Sequence, residues 1–457
     1  MSARMVVIGG GLAGITAALT AADAGVEVTL LEGRPRLGGA TFSLRRDDMW
    51  LDNGQHVFLR CCTEYIAFLE RIGSADKVHL QRRMDVPVRT PWGTRTRLAR
   101  SGLPAPLHLS SALARYPLLT MAGRARVGLA ALALRRLDPA DPALDEATFA
   151  AWLDRFGVTA REREAMWDLI GIATLNLPAT EASLAMAVKV FRTGVLDHND
   201  GADIGWSLVP LQELHGDASA RALAKAGVRV RLRARVDALD AGAGGFAVHA
   251  GGERIEAEAV VLAVPHYDAA RLLPAGALLL DDVLADPNLL TGLGTSPIVN
   301  LHVVYDRPVL DVPLTAGVGS PVQWMFDRSA GHGLAPGRYV AVSLSAATRE
   351  IDLTSAQLRD RFIPELARVL PAARQARVER FVVTKERSAT FRPAPGSGRL
   401  RPGPRTAIPG LALAGAWTAT GWPATMEGAV RSGLSAAREA LPHLGRTRAI
   451  PERTTPL

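Results

Sequence analysis

Residues 51–62 read LDNGQHVFLRCC, which places Asp52, Asn53, Gln55, His56, Cys61 and Cys62 within one short segment. Four chemistries could use such a run: a metal site, a thiol site, a loop that caps itself, or the wall of a reaction chamber. A metal needs converging ligands, and no second cluster of suitable spacing stands elsewhere in the chain, so no metal is expected. Adjacent cysteines cannot close an unstrained disulfide, and a buried pair reads as packing. Asp52 and Asn53 fit an Asx-type turn ahead of the next helix, and Gly54 lets another group approach the backbone closely. His56 is either a structural histidine or a proton donor, because its side chain titrates near neutrality. An extended backbone would set residues 52 and 56 on one face, so that Asp52 could orient or charge His56.

A second chemistry lies upstream. Gly9, Gly11 and Gly14 form G-x-G-x-x-G directly after the apolar strand Met5–Ile8. Leu12 and Ala13 open an alanine-rich helix, Gly25 ends it, and Val26–Leu31 is a second buried strand closed by Glu32. Glycines allow the tight turn and the approach of backbone N–H groups to a pyrophosphate, and the acid suits a ribose diol. Arg36, Gly38 and Gly39 add a second arginine-and-glycine turn, which suits the longer FAD better than NAD. No second G-x-G-x-x-G marks a separate NADPH site.

The elements that must hold these groups come from a chain of 457 residues, 48% hydrophobic and 21% charged, which is long enough for two or three domains. No apolar run approaches the roughly 20 residues that span a bilayer. The N-terminus runs straight into the glycine loop without a signal-peptide layout, so the expected location is the cytoplasm. The net charge is +8, and only Lys77, Lys189, Lys225 and Lys385 among the 53 basic residues are lysines. Between Asp85 and Asp138 there is no acid but there are nine arginines (Arg89, Arg95, Arg97, Arg100, Arg115, Arg124, Arg126, Arg135 and Arg136) around an apolar segment near Leu103–Leu137. A basic, apolar surface of this kind reads as a dock on anionic lipid at the inner face of the membrane. No signature supports nucleic acid as the partner.

Glu32, Arg36, Gly38 and Gly39, the segments VRVRLRARVDAL and EAEAVVLAVP, and LALAGAWTATGWPATMEGAVRSG together resemble the flavin-containing amine oxidase and phytoene desaturase superfamily. DNGQHVFLRCC, LPAPLHL, SPIVNLHVVYDRP and GWPATMEGAVRSG resemble one branch of it, the hydroxysqualene dehydroxylases. The resemblance implies an α/β fold: a doubly wound, Rossmann-like FAD-binding domain (1–85, 206–268, 396–445) and an interleaved α+β substrate domain (86–205, 269–395). Residues 446–457 would be a loose tail. It also implies that Val236 meets the adenine and that Gly54 and Gln55 border the flavin with Asp52 and His56. Gly415, Ala416, Thr425 and Met426 would hold the ribityl chain and pyrimidine edge. Two positions depart from the pattern: Ala40 replaces an arginine and Ala416 an aspartate. Losing that acid removes a charge-assisted bond of roughly 1.5–3 kcal/mol, which would weaken the hold on FAD. The activity implied is replacement of the hydroxyl of hydroxysqualene by hydrogen, with an unidentified electron donor. Rival activities are carotenoid desaturation and non-catalytic carriage of a prenyl lipid. An amine oxidase would carry a lysine in the strand SPIVNLHVVYD, which has none.

Overall fold

Strand β1 (Arg4–Ile8) is buried on both faces, as its unbroken apolar run requires, and lies in the middle of a five-stranded parallel sheet. On one side stand β2 (Glu27–Glu32) and Arg229–Leu232; on the other stand Ala259–Leu262 and Leu411–Leu413. Segments far apart in sequence therefore deliver their C-terminal ends to one edge, the position where open α/β sheets bind ligands. Helix α1 (Leu12–Asp23) packs on this sheet against the helix Met426–Ala440. The crossing is close: a Cβ on Gly433 would lie 2.2 Å from the Ala13 carbonyl oxygen. An antiparallel meander, Val236–Gly242, Gly245–Ala250 and Glu253–Ala257, covers the other face. The computed structural model describes residues 3–242 and 244–446; of the expected tail, 447–457 lie outside them.

A second sheet has seven strands, ordered Val378–Thr390, Ser296–Tyr305, Tyr339–Ser345, Trp324–Asp327, Leu314–Gly317, Asp85–Arg89 and Arg95–Ala99. All pairings are antiparallel except that between Leu314–Gly317 and Asp85–Arg89. The helix Ser355–Val369 covers it, starting from a Thr354–Gln357 capping box and burying Leu358, Phe362 and Leu366 on one stripe. The segment 86–205 is mainly helical around Phe149, Trp152, Trp167 and Phe191, but it also completes the two strands at the sheet edge.

Between the two sheets runs the polar segment with its flanks: β3 (Ser43–Arg46), β4 (Met49–Asp52), β5 (Val57–Leu59) and helix α2 (Thr63–Ile72). β3 and β4 form a hairpin, while β5 pairs with Ile204–Ser207.

Candidate active site

At the nucleotide end the backbone itself makes the site. Gly9 has φ +112°, and a Cβ there would lie 2.3 Å from the Ala263 carbonyl oxygen. A Cβ on Gly14 would sit 1.9 Å from the Gly9 carbonyl oxygen. Helix α1 begins at Gly11 with no side-chain cap and no acid in its first turn, so its first N–H groups, including those of Leu12 and Ala13, are left for an anion. The second glycine turn lies back to back with the first. Gly38 N–H donates to the Gly10 carbonyl at 2.9 Å, and a Cβ on Gly39 would stand 2.7 Å from Gly11 Cα. Glu32 accepts N–H bonds from Gly10 and Arg34, both at 2.7 Å, one on each carboxylate oxygen, and each oxygen keeps a lone pair for a diol. Arg233 and Ala234 donate to the carbonyls of Arg34 and Glu32, which brings the start of the Val236 strand beside the acid. Arg36 stacks on Phe42 at 3.4 Å, and burial followed by the nearby Arg34 lowers its pKa. This backbone cradle with spare donors fits a dinucleotide.

The polar segment behaves differently from the extended run expected. β4 stops at Asp52, the chain bends at Asn53 and Gly54, and β5 starts only at Val57. Asp52 is buried and fully engaged: Ser43 Oγ donates at 2.7 Å, Leu211 N–H at 3.0 Å and the Arg328 guanidinium at 2.9 Å. It locks the hairpin to the second sheet and does not orient His56 through a hydrogen bond. Asn53 is likewise a joint. Its side chain accepts from Phe42 N–H and donates to Ala40 and Glu386, while its carbonyl accepts from Asn300 and Thr384.

His56, by contrast, makes no hydrogen bond through its ring among the described residues and keeps some surface on the cleft. That is not the pattern of a satisfied structural histidine. Burial pushes its pKa down to about 4, with the Asp52 charge pulling the other way. Titration near neutrality is therefore corrected: at pH 7 the ring is mostly neutral, because burial takes away much of the water that would solvate the cation.

Several residues here carried no local signal in the sequence. His215 is wholly buried in a single π-helical turn, Gln212–Asp217, with Nε2 2.7 Å from the Tyr65 hydroxyl; burial first, then His56, lowers its pKa to about 3. His215 Nδ1, Asn300 Oδ1 and Gln55 Nε2 are buried polar atoms without partners, which is the condition of groups awaiting a ligand. Glu386 bonds Asn53 at 3.2 Å, and burial raises its pKa. Lysine is absent from Ser296–Tyr305; Lys189, on helix Leu184–Phe191, lies 4.8 Å over the Trp422 ring. No group of three or more His, Cys, Asp or Glu among the described residues could hold a metal.

The C-terminal loop leaves the ligand edge of the parallel sheet after strand Leu411–Leu413. Gly415 has φ +145° and donates to Ser432 Oγ at 2.8 Å; half-buried Ala416 follows it. Thr425 caps the helix Met426–Ala440 by accepting Gly428 N–H at 3.1 Å, which leaves Met426 as the first helical residue. Glu427 turns away and accepts N–H bonds from Glu64 (3.3 Å) and Tyr65 (2.7 Å), so it caps α2 in place of Cys62, whose side chain makes no capping bond. Cys61 and Cys62 are free and buried; the bond from Cys61, then burial, raises the Cys62 thiol.

Comparison with known proteins agrees with this geometry. Residues 12–441 match the family described as flavin containing amine oxidoreductase. The hydroxysqualene dehydroxylase of Rhodopseudomonas palustris is 30% identical over 449 residues, 96% of this chain and 98% of that protein. The hydroxysqualene dehydroxylase of Zymomonas mobilis is 26% identical over 456 residues, 96% of this chain and 99% of its own length. An oxidoreductase structure from Methanosarcina mazei superposes with TM-score 0.74 at 17% identity, over 94% of this chain and 99% of that one. The chain belongs to the flavin containing amine oxidoreductase family, with the hydroxysqualene dehydroxylases among its relatives, and is an FAD-dependent oxidoreductase.

Proposed function

We propose that this protein removes the hydroxyl group of hydroxysqualene reductively, giving squalene. The observation that carries the reading is the match to hydroxysqualene dehydroxylase over nearly the whole of both chains. The site chemistry supports it. A long apolar allylic alcohol needs a proton for its departing oxygen, exclusion of water from the resulting cation, and a hydride donor. Reduced FAD, when bound, supplies the hydride from N5 and ends as FAD, so alcohol, proton and hydride become hydrocarbon and water. His56, with no protein partner for its ring, donates the proton to the hydroxyl oxygen. Its depressed pKa makes the cation scarce at pH 7 but a strong acid when present. Asp52 favours that cation by its charge, while remaining tied to Arg328. Gly54 lets the backbone come close, and Gln55 and Asn300 offer unpaired polar atoms beside it.

The substrate is lipid-soluble, and the face around helix Met121–Leu134 suits its delivery. Leu103, Leu107, Met121, Leu129 and Leu132 are exposed there. The charge reading needs correction. Six of the nine arginines find acids, some from distant parts of the chain: Arg89 and Arg95 with Asp311, Arg97 with Asp85, Arg100 with Asp203, Arg126 with Glu162, and Arg135 with Asp197. Docking is therefore mainly apolar, with Arg115 and Arg136 providing the preference for anionic lipid. No helix among the described residues is long and apolar enough to cross a membrane. Anaerobic mixing of the reduced enzyme with hydroxysqualene tests the activity: flavin reoxidation with formation of squalene supports it, and reoxidation only by oxygen removes it.

A further inference from the structure

Arg401 is a buried cation that the reaction above does not use. Its residue is 6% exposed, and no carboxylate lies within ion-pair distance of it among the described residues. Backbone carbonyls surround it instead. Nε donates to Trp417 at 3.1 Å; the second guanidinium nitrogen reaches Thr418 at 2.5 Å, Trp422 at 2.7 Å and Ala416 at 3.5 Å. Met186 sulfur and the Phe391 ring complete the enclosure. Burial lowers its pKa to about 10, with the Asp145 carboxylate, too far for a direct ion pair, pulling the other way, so it stays charged at pH 7. A buried charge without a direct ion pair is costly, and four carbonyl dipoles with the more distant Asp145 offset only part of that cost. All four carbonyls belong to the loop that leaves the C-terminal end of strand Leu411–Leu413, on the ligand edge of the parallel sheet. Turning the Ala416 carbonyl inward turns the Trp417 N–H of the same peptide unit outward, and that N–H has no partner among the described residues.

We propose that Arg401 is a positioning residue of the flavin site: it pins the loop 416–422 by its carbonyls, and the bound FAD anion serves as its counter-charge. The cation then favours the negatively charged, reduced form of the flavin. With alanine at 416, no acid on the loop competes for this role. The test uses Arg401→Gln, which keeps donors but loses charge, and Arg401→Lys, which keeps charge but loses the planar fork. Titration of each apoprotein with FAD, thermal melts with and without FAD, and the flavin midpoint potential are the readouts. Arg401→Gln is expected to weaken FAD binding about 10-fold or more, from loss of a charge-assisted interaction. It should lower the midpoint potential and shrink the gain in Tm on adding FAD, while the apoprotein melts close to the parent; Arg401→Lys should recover most of the potential. If Arg401→Gln does not fold, a parent-like potential in Arg401→Lys supports the proposal. Unchanged affinity and potential in Arg401→Gln, or equal loss of potential in both variants, overturns it.

Discussion

The nucleotide end and the proposed reaction end of this site are built in opposite ways. At the first, glycine backbones touch each other so closely that a Cβ on Gly14 or Gly39 has no room, and the binding groups are main-chain N–H groups. At the second, side chains from at least four separate segments meet, among them His56, His215, Asn300 and Glu386, and several buried polar atoms have no protein partner. The first end is closed and specific before any ligand arrives. The second is left chemically unsatisfied, which is how a site able to bind a changing substrate differs from one that holds a permanent cofactor.

Substitutions should separate the two ends. The largest effect is expected from Gly14→Val, whose side chain collides with the Gly9 carbonyl; the protein should purify without flavin, read from its visible spectrum. His56→Ala should slow flavin reoxidation by substrate about 10²–10⁴-fold, the usual range for a general acid, with FAD content unchanged. Parent-rate reoxidation would make His56 structural, and loss of FAD would move it to the cofactor shell. Because burial depresses the His56 pKa, the fraction protonated grows about tenfold for each unit that pH falls from 7 toward 4. The single-turnover rate should rise with it. A profile that survives His56→Ala but disappears in Glu386→Gln would give the donor role to Glu386.

Smaller effects concern the frame. Asp52→Asn leaves Arg328 buried without its partner, and urea unfolding should reveal a loss of about 3 kcal/mol, with little change in FAD binding. Leu129→Glu should reduce co-sedimentation with liposomes more than raising the salt does, since the exposed arginines without an acidic partner are few and screened over about 10 Å at 0.1 M. Strong salt sensitivity with no response to Leu129→Glu would reverse that order.

The nucleotide end was legible because its geometry is local. Gly9, Gly11, Gly14 and Glu32 lie in one strand–helix–strand unit, and spacing alone fixes their relation. The reaction end was legible only in part. The segment at 51–62 marked the place, but spacing could not reveal that Asp52 is consumed by Arg328, 276 positions away. Nor could it reveal that burial moves the His56 pKa, since desolvation depends on neighbours from elsewhere in the chain. The arginine-rich segment misled for the same reason, because most of its counter-charges come from outside it. Arg401 gave no sign, because its partners are carbonyls, which every residue carries.

The most direct measurement is isotopic. The enzyme would be reduced in deuterated water, so that flavin N5 carries deuterium, then mixed anaerobically with hydroxysqualene and its product analysed by mass spectrometry. The account predicts squalene with one deuterium at the carbon that held the hydroxyl, formed as the flavin reoxidises. Squalene without deuterium, or a more unsaturated product formed only from oxidised flavin, would contradict it.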